Sequence, residues 1–307
     1  MNEYLTVAKN ILLNNIFLKK QESIAIITDD SLQSIGEIFY ETSVPLAEEA
    51  LLLKMKTREK SGEEPPKQVA EAMFMSDVAI CITEHSLTHT KARKRASENG
   101  TRVITMPGIS LDMFNKGAIT ADYSDVETLT NEYCDILQSG EHVTIEKDGH
   151  ALSLSIKGRT AIASTGVFRQ AGDSGNLPSG ESFIAPLETE ANGKIVVDGA
   201  ISGIGVLTEP TTLTIENGRL VAATGDAGRE LLNILGDGLG RTIAEFGIGT
   251  NKSARLTGNV LEDEKVYGTI HIAFGSNKSF GGQTDAGVHI DCVVKHPRVT
   301  IDSHLLF

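Results

Sequence analysis

Cysteine is scarce in this sequence, and the few cysteines present form no recognisable pair. Cys81, Cys134 and Cys292 are odd in number, far apart and set among apolar residues. There is no Cys-x-x-Cys spacing, so the cysteines give no indication of a zinc site. We expect reduced, buried thiols, which are typical of a cytoplasmic protein.

Basic residues are also few relative to acidic ones. The chain has 28 Lys and Arg against 41 Asp and Glu, a formal net charge of -13. This acidic excess argues against nucleic-acid partners and against anionic membrane surfaces. No apolar run approaches the roughly 20 residues of a membrane-spanning helix, and the first residues lack the charged-then-apolar order of a secretion signal. We therefore expect a cytoplasmic protein with no membrane partner.

Two common enzyme signatures are missing as well. No Gly-x-Gly-x-x-Gly follows a strand pattern in the first half of the chain, which argues against a nicotinamide cofactor. The Ser202-Gly203-Ile204-Gly205 segment is glycine-rich but lacks the strand-loop-helix setting of a dinucleotide site. Ser164 and Ser174 have no base nearby at a recognisable spacing, so nothing supports a serine nucleophile.

Strand and helix patterns alternate over the first 140 residues. Short apolar runs predict strands, and the segments between them predict helices. The predicted strands are 23–28, 50–55, 77–82 and 101–106, and the predicted helices 35–40, 67–75, 88–99 and 124–137. Such repetition is typical of an open, mostly parallel sheet.

From residue 141 onward strands dominate. The predicted strands are 142–146, 151–157, 194–197, 212–216 and 219–223, with one helix near 227–235. Asp148-Gly149, Asn192-Gly193 and Asn217-Gly218 predict hairpin turns. With 307 residues, the chain is long enough for two cores. We predict an α/β open parallel-sheet domain at 1–140, then a mainly β metal-binding domain at 141–307, together an α+β or α/β fold.

His289 and Asp291 are the most informative pair in the second half. They alternate with Val288, Ile290 and Cys292, so a strand would place both polar side chains on one face and the apolar ones on the other. An imidazole and a carboxylate on one face can be metal ligands. They can equally form a buried hydrogen-bonded pair.

Three more ligand-type residues lie upstream of this pair. Glu181 follows a Gly/Pro-rich turn, while Glu245 and His271 each interrupt an apolar strand pattern. A charged or imidazole group in such a strand is costly unless it is paired or bound to a cation. Separate buried ion pairs are one explanation. A shared divalent site is favoured, and its mixed ligands suit zinc, manganese, cobalt or ferrous iron better than magnesium.

At these residues the sequence resembles the aminopeptidase T family of metal-dependent exopeptidases. The resemblance covers most of the chain. It is carried by the segments Ser86-Leu87-Thr88-His89-Thr90-Lys91-Ala92-Arg93-Lys94, Met106-Pro107-Gly108, Asn176-x-Pro178-x-Gly180-Glu181, Glu245-Phe246-Gly247-Ile248-Gly249, His271-Ile272-Ala273-Phe274-Gly275 and His289-x-Asp291.

The resemblance implies removal of N-terminal amino acids from peptides by a homodimeric metallo-hydrolase. The family's ligands would fall on five residues, and two zinc, cobalt or manganese ions would share them and activate a bridging water. Glu181 or Glu245 would be the general base. The metal ligands so implied are Glu181, Glu245, His271, His289 and Asp291.

The sequence also departs from that family. Lys278 stands where the family has a tyrosine, and the stretch from His271 to His289 is short for it. Ring-cleaving dihydroxypyridine dioxygenases resemble the same fold family. His271, His289 and Asp291 would give such an enzyme the two imidazoles and one carboxylate of a mononuclear ferrous site. A third possibility is a catalytically degenerate relative that binds a small ligand.

Overall fold

The N-terminal part of the chain alternates helices with strands in the computed structural model, which describes residues 2–306. Its helices are α1 (Asn2–Asn10), α2 (Gln33–Ser43), α3 (Lys67–Met75), α4 (Lys91–Glu98), α5 (Leu111–Asn115) and α6 (Tyr123–Ser139). Its strands are β1 (Ser23–Asp29), β2 (Glu49–Met55), β3 (Val78–Ile82) and β4 (Arg102–Thr105). A π-helical turn lies at Ile11–Asn15, and a 3-10 turn at Ala118–Thr120.

Helix α4 begins later than its sequence pattern predicts. The Thr90 hydroxyl accepts a hydrogen bond from the Arg93 amide at 3.2 Å, which makes Thr90 the N-cap. An N-cap residue has extended rather than helical backbone, so the helix starts after it. The residues before Thr90 are therefore loop, although they share the helix's polar composition.

Strands dominate the rest of the chain. They are β5 (His142–Lys147), β6 (His150–Ser155), β7 (Ile162–Ser164), β8 (Ser174–Asn176), β9 (Glu181–Ile184), β10 (Ala191–Val197), β11 (Ala200–Ile201), β12 (Gly205–Val206), β13 (Thr211–Glu216), β14 (Arg219–Ala223), β15 (Ile243–Gly249), β16 (Thr269–Gly275), β17 (His289–Lys295), β18 (Arg298–Ile301) and β19 (His304–Leu305). Helices α7 (Gly225–Leu235) and α8 (Val260–Asp263) and 3-10 turns at Leu239–Arg241 and Lys278–Phe280 interrupt them. No helix between residues 2 and 306 is long and apolar enough to cross a membrane.

The first sheet is entirely parallel, with strand order β2-β1-β3-β4-β8. Its strands β1 and β3 are almost wholly buried, as expected when helices cover both faces of a parallel sheet. Ala25, Ile27, Ala79 and Val103 pack in one core with Met73 of α3. The predicted α/β parallel sheet is confirmed.

Two seven-stranded antiparallel sheets make up the second part. Their orders are β14-β13-β10-β6-β5-β18-β19 and β12-β11-β17-β16-β15-β9-β7. Apolar side chains of both sheets belong to one core, for example Val143 and Ile195 of the former and Phe246, Ile272 and Cys292 of the latter. Because side chains alternate along a strand, the second of these sheets keeps its other face free for polar residues.

Two of the three predicted Gly turns are confirmed. Asp148-Gly149 and Asn217-Gly218 have positive φ at both residues and join antiparallel neighbours. The turn predicted at Asn192-Gly193 is wrong, since both residues lie inside β10. A Cβ at Gly193 would lie 2.2 Å from the Ala151 carbonyl oxygen, so this glycine permits close approach of β6 instead.

The chain divides into two compact units, Met1–Ser124 with Gly166–Ser179, and Asp125–Thr165 with Gly180–Phe307. This division differs from the predicted boundary near residue 140 at two places. Most of α6 belongs to the second unit, because Tyr133 and Leu137 pack in its core. Residues 166–179 return to the first unit, because β8 pairs with β4.

The three cysteines are free. Cys81 and Cys292 are buried, whereas Cys134 is partly exposed. Burial raises the pKa of Cys81 to about 12 and that of Cys292 still further. Since the thiolate is the reactive form, neither buried cysteine is a candidate nucleophile.

Candidate metal centre

The five predicted ligand residues lie on four adjacent strands of one sheet. Glu181 begins β9, Glu245 lies in β15 and His271 in β16, while His289 and Asp291 belong to β17. These strands are consecutive neighbours in the order β17-β16-β15-β9. The sheet therefore brings together residues that are more than a hundred positions apart in sequence.

Every one of these five residues lies directly opposite a glycine or an alanine on one of its neighbouring strands. Such small partners leave room above the sheet for imidazoles and carboxylates to converge. The pairs are Glu181 with Gly249, Glu245 with Ala273, His271 with Gly247, His289 with Gly275 and Asp291 with Ala273.

Gly247 shows most directly why a small partner is required. A Cβ added at this position would lie 2.1 Å from the His271 Nε2 atom. No side chain could occupy that space without displacing the imidazole. The glycine therefore fixes where the His271 ring can lie.

Carboxylate oxygens surround the Nε2 atoms of both imidazoles. Glu245 reaches both, with Oε1 3.2 Å from His271 Nε2 and Oε2 3.4 Å from His289 Nε2. Asp291 Oδ1 lies 3.3 Å from His289 Nε2, and Glu181 Oε2 lies 3.6 Å from His271 Nε2. Both rings thus direct the same nitrogen towards one group of acidic side chains.

Two further charged residues join the cluster, and sequence reasoning did not find them. Glu264 and Lys265 follow α8, and the Lys265 side chain is completely buried. Its ammonium lies 3.0 Å from Glu181 Oε1 and also contacts Glu264 Oε1. In sequence they end the run Glu262-Asp263-Glu264-Lys265, whose composition is that of an exposed loop, so no local signal marks them.

The carboxylates raise the basicity of both imidazoles. Burial alone lowers the pKa of His271, but the hydrogen bond with Glu245 and the charge of Glu181 outweigh it and raise this pKa to about 9. Burial likewise opposes the raised pKa of His289, which Asp291 and Glu245 bring to about 10. Such a site attracts positive charge, whether protons or a metal ion.

The acidic residues respond differently to the same surroundings. Burial raises the pKa of Glu264 to about 8, because Glu181 and Asp291 add to the effect and Lys265 only partly offsets it. Burial also acts to raise the pKa of Asp291, but the charge of His289 holds it well below its usual range. Asp291 is therefore more firmly ionised than Glu264.

Aromatic and backbone groups orient His289 from the side away from the carboxylates. Its Nδ1 lies 2.8 Å from the Ser276 carbonyl oxygen, a contact that places the proton on Nδ1 and frees Nε2. The Phe280 ring packs edge-on against the imidazole with centroids 5.8 Å apart, and Phe183 packs on Phe280 in turn at 5.6 Å. Lys278, the departure from the peptidase pattern, begins the turn that carries Phe280 and is exposed.

The donor set fits a divalent transition metal. One possible ligand group combines Glu181, Glu245 and His271, and another Glu264, His271 and Asp291, each with donor atoms within 4.8 Å of one another. Among the described residues, the buried Glu181 Oε2 atom has no hydrogen-bond partner. Buried polar atoms of this kind call for an unseen partner such as an ion. Imidazole and carboxylate donors together suit iron, zinc or manganese.

Comparison with known proteins decides the family. The family model of 2,5-dihydroxypyridine 5,6-dioxygenase, NicX, matches residues 16–306. The chain belongs to this dioxygenase family. A search of curated proteins gives no match.

Solved structures show the same fold. The 2,5-dihydroxypyridine dioxygenase from Pseudomonas putida KT2440 superimposes with a TM-score of 0.81 at 18% identity, covering 99% of this chain and 94% of that one. Wild-type AmpT from Thermus thermophilus gives 0.69 at 16% identity, covering 97% and 94%. The predicted kinship with aminopeptidase T therefore holds for the fold.

The predicted hydrolase and peptidase activity is wrong. The family match favours the ring-cleaving dioxygenase, which was the alternative explanation of the same residues. The structural match to a dioxygenase is also the better of the two described above. The general-base role expected of Glu181 or Glu245 belonged to peptide hydrolysis and is not carried forward.

Proposed function

We propose that this protein is an iron(II)-dependent dioxygenase that opens the ring of a dihydroxypyridine or a closely related hydroxylated aromatic compound. The observation that carries the proposal is that Glu245 contacts both imidazoles and Asp291 contacts that of His289, in a chain that belongs to the 2,5-dihydroxypyridine 5,6-dioxygenase family. Two imidazoles with one carboxylate are the ligand set of mononuclear ferrous oxygenases, in which other positions on the metal stay open.

His271, His289 and Asp291 would hold the iron, with Glu245 in contact with both rings as a further carboxylate. Bound iron would supply the means to bring O2 and the ring substrate together, so that both oxygen atoms enter the product as one ring carbon–carbon bond breaks. Glu245 would hold the two imidazoles in a fixed mutual orientation, since one of its oxygens faces each ring.

The surroundings of His289 support an aromatic substrate. The Phe280 and Phe183 rings form an apolar surface beside this imidazole. Such a surface excludes water and can pack on a flat ring by edge or face contact. The Ser276 carbonyl would keep His289 in the tautomer that presents Nε2 to the metal.

The proposal is tested with protein loaded with iron(II) without oxygen and then mixed with 2,5-dihydroxypyridine and air-saturated buffer. We expect one O2 consumed per ring opened, followed with an oxygen electrode and by loss of the substrate's ultraviolet absorbance. His271→Ala should remove both signals. Aminoacyl p-nitroanilides serve as the control, and their hydrolysis without O2 uptake would contradict the proposal.

We further propose that the protein is a homodimer, as its resemblance to the aminopeptidase T family implies. Light scattering coupled to size exclusion checks this. A mass of 32.9 kDa, that of one chain, would contradict it.

A further inference from the structure

Lys265 is a positive charge inside the acidic cluster, with no exposure to solvent. A buried ammonium is costly unless it is paired. Glu181 Oε1 at 3.0 Å and Glu264 Oε1 together provide that pairing. The two contacts give the buried ammonium a carboxylate oxygen on each of two side chains.

The backbone around Lys265 packs against the end of β15 and the residues that follow this strand. The Lys265 carbonyl accepts from the Asn251 amide at 2.9 Å, and its amide donates to the Glu262 carbonyl at 3.0 Å. Gly249 permits this approach, because a Cβ there would lie 2.1 Å from the Val266 carbonyl oxygen. The ammonium is therefore placed by fixed main chain and not by a mobile loop.

The loop that carries Lys265 is itself braced. Asp263 accepts from the Thr257 amide at 2.6 Å and from the Gly258 amide at 2.9 Å. Glu262, fully buried, pairs with Arg255 at 3.2 Å. These contacts make the position of Lys265 a built feature of the second unit.

We propose that Lys265 is an internal counter-cation that limits this centre to a single divalent ion. The inference rests on the proposed mononuclear function and deepens it. The Lys265 ammonium occupies one oxygen of Glu181 and one of Glu264, which leaves Glu181 with Oε2 alone for a metal. A second divalent ion at these carboxylates would need the oxygens that Lys265 holds, and would lie beside a fixed positive charge.

The other end of the cluster has no such cation. Glu245 and Asp291 contact only imidazoles among the basic side chains in the described contacts. One divalent ion can displace the imidazole protons and use those donors. Sequence motifs shared with two-metal peptidases are thus compatible with a one-metal centre, because a lysine supplies the remaining positive charge.

The test counts metal ions in Lys265→Ala and in the volume-preserving Lys265→Met. Mn(II) serves as the probe, because it tolerates air. Equilibrium dialysis with elemental analysis gives the number bound, and electron paramagnetic resonance separates isolated Mn(II) from exchange-coupled pairs. We expect one Mn(II) per chain in the unmodified protein and two, coupled, in Lys265→Ala or Lys265→Met.

Two further variants serve as controls. Lys265→Arg keeps the charge, and Lys252→Met removes a lysine whose side chain lies at the surface over Tyr267. Both should bind one Mn(II). Propylammonium, which resembles the missing lysine tail, should displace the second ion from Lys265→Ala and leave the first.

Two Mn(II) in the unmodified protein would overturn the inference, as would one Mn(II) in both neutral Lys265 variants with native circular dichroism. The Mn(II) count of the unmodified protein can still overturn the inference if a variant does not fold. Failure of the proposed function has a different signature. The Mn(II) counts would follow expectation while iron-loaded protein consumes no O2 with the dihydroxypyridine.

Discussion

The two ends of the acidic cluster neutralise their carboxylates by different means. At one end, Glu181 and Glu264 face the ammonium of Lys265, which holds its proton far above neutral pH. At the other end, Glu245 and Asp291 face imidazoles, whose protons leave near pH 9 and 10. A lysine cannot give up its place to a metal ion at neutral pH, whereas an imidazole can exchange a proton for one.

A single site thus contains a positive charge that stays in place, the Lys265 ammonium, and positive charges that a metal ion can replace, the imidazole protons. Glu181 contacts Lys265 through Oε1, so only its Oε2 is directed towards His271. Glu245 and Asp291, which face imidazoles, would be available to a metal ion, and an imidazole that loses its proton can become a ligand.

The largest effect is expected at the exchangeable end. Asp291→Ala or His289→Ala removes a proposed ligand, and we expect metal affinity to fall by about a hundredfold or more, since even outer-shell changes cost 10- to 100-fold. Elemental analysis after dialysis checks this. The fold should persist because the opposite face of the sheet supplies the core, so full metal occupancy in either variant would contradict the assignment.

Gly247→Ala should act on the same end without removing any ligand. The new Cβ would lie 2.1 Å from His271 Nε2, so the ring must move. We expect metal affinity to fall about tenfold, as when a ligand loses its orientation. Gly238→Ala is the matched control, because a Cβ there meets nothing within 4 Å. Equal loss in both variants would show that the effect is not local to His271.

Metal affinity should rise with pH over the range in which the imidazoles are protonated. Binding must displace protons from His271 and His289, whose pKa values are about 9 and 10. Between pH 6 and 8 we expect Mn(II) affinity to rise by up to about a hundredfold per pH unit, a factor of ten for each proton displaced. Titration calorimetry in buffers of different ionisation enthalpy counts the protons released.

The stability of the metal-free protein should fall as pH rises, whereas metal affinity rises. Raised imidazole pKa values stabilise the folded state fully below about pH 6.5, and this contribution is lost as pH rises through about 9 to 10. Thermal melts of chelator-treated protein across this range provide the comparison. Parallel slopes with and without metal would contradict direct competition between metal and protons.

The smallest effect is expected at the fixed end. Glu181→Gln removes a charge that Lys265 already neutralises, so metal affinity should change by less than about threefold if His271, His289 and Asp291 hold the ion. Elemental analysis beside Asp291→Ala tests the contrast. Loss of metal on the scale of Asp291→Ala would make Glu181 a ligand in its own right.

The sequence pattern predicted the strands that carry most of the candidate ligands, whose role as ligands stays a prediction. Alternation placed His289 and Asp291 on one face of β17, and the apolar runs around Glu245 and His271 indicated β15 and β16. The spacing also carried a second signal, because Glu245-x-Gly247-x-Gly249 puts the small partners on the ligand face. Periodicity predicts such features because each depends only on near neighbours in sequence.

What the sequence could not predict depends on distant contacts. Lys265 lies in a charged segment after α8, and its burial involves contacts with Glu181 of β9 and Gly249 of β15. The return of residues 174–176 to the first sheet is a parallel pairing with β4 that has no local signature. Asn192-Gly193 has the composition of a turn, and only the approach of β6 shows otherwise.

The order of folding and metal binding follows from three residues of the site, Gly247, Gly249 and Lys265. Room for the ligands comes from glycines in the sheet, and charge balance comes from a lysine and from protons, so neither requires a metal. Folding can therefore be completed first, with a metal ion bound afterwards. Loss of the ion would then leave a folded protein that can bind it again, in contrast to zinc fingers, which unfold when their ion is removed.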